Sequence, residues 1–191
     1  MRVLFIGDIV GEPGRRAVRT LVPRLRDRLG IDYVVANGEN AAGGAGITTA
    51  IAQELFASGV EVITTGDHLW DQKDVVNLLR DEPRFLRPAN YPSGVTGRGG
   101  GVFRRPGTAP LGVLNLQGRT FMAALENPFV VGLAEVERLR AETPVILVDF
   151  HAEATSEKIA LGWHLDGKVS LVVGTHTHVQ TADERILPGG T

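Results

Sequence analysis

Polar residues that can bind metals or transfer protons follow short apolar runs at five places in the chain. Three of these places have a glycine followed by an acid, at Gly7-Asp8, Gly38-Glu39 and Gly66-Asp67, and glycine permits a sharp exit from a strand. Parallel strands place such residues at one sheet edge, where ligands bind in open α/β sheets. We therefore expect a single edge to collect eight side chains: Asp8, Glu39, Asn40, Asp67, His68, His151, His176 and His178.

The chemistry that this set favours is the binding of two divalent metal ions. Crowded carboxylates raise one another's pKa unless cations relieve the repulsion. Oxygen and imidazole ligands suit hard or borderline metals, and a carboxylate that bridges two of them is typical of two-metal phosphoryl hydrolysis. In an extended segment His176 and His178 would point the same way, so they could bind adjacent metals.

Each of these residues also has a simpler structural interpretation. Asp8 alone is typical of a turn, and Glu39 or Asp67 could cap a following helix. A single histidine such as His151 is more often a hydrogen-bonded core residue than a ligand. The metal-site hypothesis therefore depends on the whole set taken together.

The composition limits the class of protein. The 191 residues suit one domain, and a hydrophobic content of 43% favours a packed core. The chain has no cysteine, which excludes disulfides, thiolate nucleophiles and cysteine-ligated metals. A net charge of −2 gives no basic footprint for nucleic acid. Because the first residues lack a signal-peptide pattern and no apolar run approaches a membrane span, we expect a cytoplasmic globular protein without a membrane partner.

The elements that must position these side chains are visible as alternating patterns. Continuous apolar runs predict six strands of a parallel type: Arg2–Ile6, Asp32–Val35, Val60–Thr64, Leu111–Leu116, Val145–Phe150 and Ser170–Val173. Helical periodicity between them predicts four helices: Gly14–Leu29, Thr48–Ala57, Trp70–Leu79 and Phe129–Glu142. We expect Pro23 to kink or break the first helix. The alternation predicts an α/β fold, interrupted over Pro83–Pro110 by irregular structure with a hairpin.

Other motifs point to function less directly. The chain has no P-loop and no nucleophile elbow, and Gly7–Gly14 is not a dinucleotide-binding fingerprint. Gly43–Gly46 could offer amides to a phosphate, or could form a flexible loop that gives room beside the site. Arg119 is a further candidate for anion binding, whereas Gly97–Gly101 is better explained as a hairpin. We expect His164 to be structural.

The order of these motifs resembles the signature of the calcineurin-like metallophosphoesterases, in which D-x-H, G-D, G-N-H-[DE], H and G-H-x-H follow one another. The chain is most similar to the YmdB-type branch, the 2′,3′-cyclic-nucleotide 2′-phosphodiesterases. The segments that carry this resemblance are spread over the whole chain: Gly7–Gly14, 37–46 (NGENAAGGAG), Gly66–Asp71, Gly118–Met122, Asp149–Glu153 and Gly174–Thr181.

The resemblance implies a four-layered α/β/β/α sandwich, formed as a single metallophosphoesterase domain over residues 1–191, with two bound metal ions. These would be iron or manganese, with zinc as an alternative. The implied ligands are, for the first metal, Asp8, Glu39, Asn40 and His178, and for the second, Glu39 as a bridge with Asp67, His151 and His176. His68 would be the general acid.

Two positions depart from the family pattern. Val10 stands where the superfamily has a histidine, and Asn40 takes that role in the YmdB-type branch. Asp67 stands where the branch usually has asparagine, which adds a negative charge beside an incoming phosphate. Family members also continue past the equivalent of Thr191, so a domain truncated at its C-terminus is an alternative to a complete one.

The leading hypothesis is a metal-dependent phosphodiesterase that acts on small cyclic nucleotides, above all 2′,3′-cyclic nucleoside monophosphates. The metals would activate a hydroxide that attacks phosphorus, and His68 would protonate the departing ribose oxygen. The alternatives are a metal-dependent nucleotide sensor or scaffold with little turnover, and a phosphomonoesterase of the same fold. The sequence leaves open the physiological substrate, the metal and whether the chain forms a homo-oligomer.

Overall fold

The computed structural model describes all residues from Met1 to Thr191 and divides the chain into two compact units. The first unit comprises residues 1–87 and 96–98, and the second comprises residues 88–95 and 99–191. None of the helices combines the length and the apolar character needed to cross a lipid bilayer.

The first unit is built on a three-stranded parallel sheet. Its strands are β1 (Val3–Ile6), β2 (Tyr33–Asn37) and β3 (Val62–Thr64), in the order β1-β2-β3. The helices of this unit are α1 (Gly11–Leu29), α2 (Thr49–Ala57) and α3 (Val75–Asp81), with a 3₁₀ turn at Asp67–Trp70. All five residues of β2 are buried, which explains why this strand reads as a continuous apolar run.

The second unit is built on a four-stranded mixed sheet in the order β4-β5-β6-β7. Its strands are β4 (Gly100–Phe103), β5 (Leu111–Gln117), β6 (Ile146–Ala152) and β7 (Leu171–His176), and its helices are α4 (Pro128–Arg140) and α5 (Thr155–His164). β4 runs antiparallel to β5, whereas β5, β6 and β7 are parallel.

Side chains from one face of the second sheet form an apolar core with the two helices. Leu114 and Leu116 of β5 and Phe150 of β6 belong to this core, together with Leu139 of α4 and Leu161 of α5. Since neighbouring strand residues point to opposite faces, residues 115, 117, 149 and 151 lie on the other face. The core face therefore fixes the orientation of the polar face.

The α/β class and the six predicted strands are confirmed, and four strands extend one to three residues further toward their carboxyl ends than predicted. The strand at the Pro83–Pro110 interruption is β4, which pairs with β5 in the antiparallel manner expected of a hairpin region. The expectation of a single parallel sheet edge is wrong, because the strands form two separate sheets. The four-layered sandwich and the single domain over residues 1–191 stay predictions.

Two helix predictions need correction, and one helix was not predicted. α1 continues through Pro23 and does not break there, since Pro23 is exposed and water can bind the carbonyl that its ring leaves without an intrahelical donor. The helix predicted at Trp70–Leu79 is shorter and begins at Val75, because Asp67–Trp70 adopts a 3₁₀ turn instead. α5 had no counterpart in the sequence prediction; its one buried residue, Leu161, leaves little helical periodicity to detect.

Candidate metal-binding residues

The carboxyl ends of the three strands in the first unit carry four of the predicted metal ligands and the predicted acid. Asp8 follows β1, Glu39 and Asn40 follow β2, and Asp67 and His68 follow β3. Because the three strands are parallel and adjacent, these residues leave the sheet at the same edge. Within the first unit, the sequence prediction of a shared edge is therefore correct.

Glu39 is fully buried and is held by two donors. The backbone N–H of His68 donates to Glu39 Oε2 at 3.2 Å, and Asn40 Nδ2 donates to Glu39 Oε1 at 3.1 Å. The same Asn40 nitrogen lies 3.4 Å from Asp8 Oδ2. Asn40 thus places its N–H group between two carboxylates and reduces their repulsion. To bind a metal ion in this position, Asn40 would have to rotate its amide so that Oδ1, and not Nδ2, faces the ion.

His68 lies at the start of the 3₁₀ turn, where its imidazole is partly exposed. Its Nδ1 lies 2.7 Å from Asp71 Oδ2, three residues further along the chain. This hydrogen bond raises the pKa of His68 above its ordinary value, and the charges of Glu39 and Asp67 act in the same direction. Since Asp71 accepts at Nδ1, the other ring nitrogen, Nε2, is the one available to a ligand.

A hydrogen-bonded chain orients the first histidine of the second unit. Asp149, Thr175 and His151 are almost fully buried on adjacent strands. Thr175 Oγ1 donates to Asp149 Oδ1 at 2.7 Å and lies 3.0 Å from His151 Nδ1. Because the hydroxyl proton is directed at the carboxylate, the threonine oxygen accepts from His151 Nδ1–H. The lone pair of a neutral His151 is then on Nε2, the tautomer that carboxylate-linked metal-binding histidines use.

His176 faces both His151 and an acid. Its Nδ1 lies 3.1 Å from His151 Nε2, and its Nε2 lies 3.1 Å from Glu153 Oε2. The 3.1 Å contact is a hydrogen bond between the two imidazoles, and a metal ion bound to the same two nitrogens would replace it. This donor set fits a divalent metal.

The backbone around His176 and His178 differs from the sequence prediction. β7 ends at His176, and both histidines have positive φ values, 92° and 53° respectively. The segment is therefore not extended. The prediction that the two side chains point the same way assumed an extended segment, and that assumption is wrong. Backbone strain of this kind in non-glycine residues is concentrated at functional sites. His178 lies on the exposed segment after β7.

Acidic and imidazole side chains that could hold a metal ion are present in both units. They are Glu39 and Asp67 in the first unit and His151 and His176 in the second. Asp8 and His178 are not among these residues; Asp8 Oδ2 lies 3.4 Å from Asn40 Nδ2, which in turn contacts Glu39.

Two further candidates have structural roles in the second unit. The backbone amides of Arg119 and Thr120 donate to the Glu157 carboxylate at 3.0 to 3.2 Å, so the main chain at Arg119 already binds an anion. His164 Nε2 donates to the Phe129 carbonyl at 3.1 Å and packs edge-on against the Phe129 ring, which is the structural role expected for it.

Sequence reasoning missed the residues that hydrogen-bond to the predicted site, directly or through another side chain, namely Asp71, Asp149, Glu153 and Thr175. Two of them are visible in the motif Asp149–Glu153 (DFHAE), where acids lie two residues before and after His151. In a strand this spacing puts Asp149 on the same face as His151. The contribution of Thr175 could not be found in this way, because it depends on the register between β6 and β7.

Comparisons with known proteins agree on one family. The model for YmdB-like proteins matches residues 4–191. The 2′,3′-cyclic-nucleotide 2′-phosphodiesterase of Bacillus subtilis (strain 168) is 51% identical over 191 residues, which are 100% of this chain and 72% of that protein. A putative phosphatase/phosphodiesterase of Mycoplasma pneumoniae is 34% identical over 197 residues, covering 100% of this chain and 69% of that protein.

Two solved structures share the fold along almost the whole chain. A hypothetical protein from Thermus thermophilus superposes with a TM-score of 0.92 at 46% identity, covering 99% of this chain and 73% of that one. A phosphatase from Mycoplasma pneumoniae superposes with a TM-score of 0.90 at 34% identity, covering 99% of this chain and 68% of that one. The family match, the relatives and the fold together show that this chain belongs to the YmdB-like family.

Proposed function

We propose that this protein is a metal-dependent phosphodiesterase that hydrolyses small cyclic nucleotides, with 2′,3′-cyclic nucleoside monophosphates as the substrate class. The observation that carries the proposal is the pair of histidines His151 and His176, whose ring nitrogens Nε2 and Nδ1 lie 3.1 Å apart in a chain 51% identical to a 2′,3′-cyclic-nucleotide 2′-phosphodiesterase. The cytoplasmic location expected from the sequence stays a prediction.

Two metal ions would be held by the residues that the sequence predicts as ligands. In the proposal Asp8, Glu39, Asn40 and His178 bind one metal, and Glu39, Asp67, His151 and His176 bind the other; iron or manganese suits this mixture of oxygen and imidazole ligands. Bound metal ions would supply Lewis-acid polarisation of the phosphoryl oxygens and activation of water.

The protein's own residues prepare the site in three ways. The His68 backbone amide donates to the Glu39 carboxylate and would keep that ligand in place. The chain from Asp149 through Thr175 keeps the His151 Nε2 lone pair directed at a ligand. Asn40, whose Nδ2 contacts Glu39 and Asp8 here, would hold a metal through Oδ1 after rotation of its amide.

His68 is the proposed general acid. Asp71 holds its Nδ1, so the proton that is transferred to the departing ribose oxygen comes from Nε2. The partly exposed ring can reach a ligand in solution, in contrast to the buried His151. An imidazolium stabilised by Asp71 is in the right protonation state to donate.

Separate variants test the two roles. His68→Asn should lower turnover of 2′,3′-cyclic AMP by about 100-fold or more, while the metal content measured by elemental analysis stays that of the wild type. Glu39→Gln should lose both metals and all turnover. A Glu39→Gln protein that retains two metal equivalents would contradict the bridging role, and loss of metal from His68→Asn would contradict the acid role.

The substrate class is tested in parallel on the wild-type protein with Mn²⁺ or Fe²⁺. The proposal expects faster hydrolysis of 2′,3′-cyclic AMP than of p-nitrophenyl phosphate. Faster hydrolysis of p-nitrophenyl phosphate would identify a phosphomonoesterase. Binding of the cyclic nucleotide without turnover would identify a sensor.

A further inference from the structure

Gln117, the last residue of β5, is a fully buried amide whose polar atoms have no partner. Its side chain is 0% exposed, and neither Nε2 nor Oε1 forms a hydrogen bond. Buried polar atoms are nearly always hydrogen-bonded in folded proteins, because removal from water without a partner is unfavourable. Gln117 has two buried polar atoms without a hydrogen-bond partner, and a ligand that binds them would explain why the amide is there.

The backbone at Gln117 is held firmly, so the side chain is not placed there by a loose loop. The side chain of Asn90 accepts from Gln117 N–H at 2.9 Å and donates to Gln117 C=O at 2.8 Å. The next amide, that of Gly118, donates to the His151 carbonyl at 2.8 Å. Asn90 itself is fully buried and, unlike Gln117, has partners for both of its side-chain polar atoms.

The register of the sheet puts the Gln117 amide beside the histidine ligands. Gln117 pairs with His151, and His151 pairs with Thr175. Leu116 and Phe150 point into the apolar core, so Gln117 and His151 share the opposite face. Side chains that face each other on adjacent strands have Cβ atoms about 5 Å apart. The unsatisfied amide thus lies next to the imidazole proposed to bind a metal.

The two unsatisfied atoms specify the chemistry of a ligand. Nε2 needs an acceptor and Oε1 needs a donor. A metal ion would satisfy only Oε1, and a phosphate without a proton would satisfy only Nε2. A sugar hydroxyl adjacent to a phosphoryl group offers both, because the hydroxyl donates and the phosphoryl oxygens accept.

We propose that Gln117 is a product-binding residue that recognises a ribose hydroxyl together with the neighbouring phosphoryl oxygen. This inference rests on the proposed function, since a phosphodiesterase that opens a 2′,3′-cyclic phosphate at the 2′ position releases a 3′-nucleotide with a free 2′-hydroxyl. Such a product carries the required donor and acceptor on adjacent carbons. Gln117 would accept from the hydroxyl through Oε1 and donate to the phosphoryl oxygen through Nε2.

The test combines ligand binding with the stability of the free protein. Titration calorimetry with 3′-AMP and with 2′-deoxy-3′-AMP should show about 10-fold tighter binding of the hydroxyl-bearing nucleotide to the metal-loaded wild type. Gln117→Met, which keeps the length of the side chain without its polar atoms, should bind the two nucleotides equally. Gln117→Leu is a second variant in case the methionine packs poorly.

Stability separates binding from a structural role. Because the amide has no partner in the free protein, Gln117→Met or Gln117→Leu should unfold at the wild-type temperature or above it. The matched control is Asn90→Leu, a buried amide with satisfied atoms, which should unfold at a lower temperature. Unfolding of both Gln117 variants below the wild-type temperature, or unchanged discrimination between the two nucleotides, would overturn the proposal. Hydrolysis of 2′,3′-cyclic AMP by the wild type is measured separately, so failure of the proposed function is distinguishable from failure of the Gln117 assignment.

Discussion

One hydroxyl group at Thr175 connects a buried carboxylate to a buried imidazole. Without this hydroxyl, Asp149 would lose a hydrogen-bond donor, and His151 would lose the acceptor that fixes its tautomer. Groups that orient a metal-binding histidine typically change metal affinity by about 10- to 100-fold when removed. The hydroxyl is therefore important even though it binds no metal itself.

Thr175→Val, which has nearly the same shape, should weaken Mn²⁺ binding by about 10- to 100-fold. The physical reason is that His151 loses its preferred tautomer while its position changes little. Isothermal titration of the purified variant with Mn²⁺ measures this effect. The control is Thr177→Val, whose hydroxyl accepts from Lys158 and not from a histidine. Equal Mn²⁺ affinities for wild type and Thr175→Val would contradict the orienting role.

Glu82 provides a pH-dependent contribution to stability. Its carboxylate accepts hydrogen bonds from the Arg84 guanidinium at 2.7 and 2.9 Å, and this lowers the pKa of Glu82 below its ordinary value. A carboxyl with a depressed folded-state pKa stabilises the protein above its unfolded-state pKa and loses that contribution as the pH falls through the folded value.

Glu82→Gln should therefore reduce the free energy of unfolding at pH 7 by about 0.5 to 1 kcal/mol. The difference from wild type should shrink as the pH falls below the ordinary glutamate pKa and through the lowered pKa of Glu82, since the wild-type carboxylate becomes protonated there. Urea unfolding at a series of pH values measures it. A difference that stays constant down to the lowest pH at which the protein remains folded would show that charge at Glu82 is not the cause.

At the scale of the secondary structure elements, α1 tolerates a proline in its interior. A proline there lacks the N–H that would bond the carbonyl four residues earlier, and its ring crowds the preceding turn. The helix nevertheless runs from Gly11 to Leu29, because Val18 and Val22 bury its apolar side in the first unit. Tertiary packing has overcome a local preference against helix.

Pro23→Ala should raise the free energy of unfolding by about 1 to 3 kcal/mol, because it restores a helical hydrogen bond and a residue of high helix propensity. Thermal unfolding followed by circular dichroism measures the change. Arg24→Ala, at the neighbouring exposed position, is the control and should leave stability within about 0.5 kcal/mol of the wild type. A Pro23→Ala protein less stable than wild type would show that the fixed proline φ stabilises this helix.

The elements differ in how well the sequence predicts them. Strands such as β2 are buried on both faces, so their apolar runs are unmistakable. α5 and the turn at Asp67–Trp70 were not predicted, because neither has an apolar stripe that repeats with helical spacing. A helix or strand can thus be predicted where its burial leaves an apolar pattern in the sequence. The prediction fails where few of its residues are buried.

At the scale of the whole molecule, the sequence identifies candidate residues more readily than it predicts which sheet each of them follows. The glycine-acid steps identify Asp8, Glu39 and Asp67 because each is visible in its own segment. The separation into two sheets is not visible, since each parallel strand has the same pattern whichever sheet it joins. The Gln117 and Thr175 side chains acquire their roles from inter-strand register, and no local pattern encodes it.

The contact between Glu157 and the loop at Arg119 and Thr120 has a consequence of a different kind. Two consecutive backbone amides that point at one carboxylate form the type of concavity that receives phosphate groups in other proteins. Here the protein supplies its own anion to that concavity, as a built-in competitor of external phosphates. The Glu157 carboxylate therefore occupies the backbone amides of the loop after β5. Glu157→Ala would remove the carboxylate and leave the Arg119 and Thr120 amides free to bind sulfate or free phosphate.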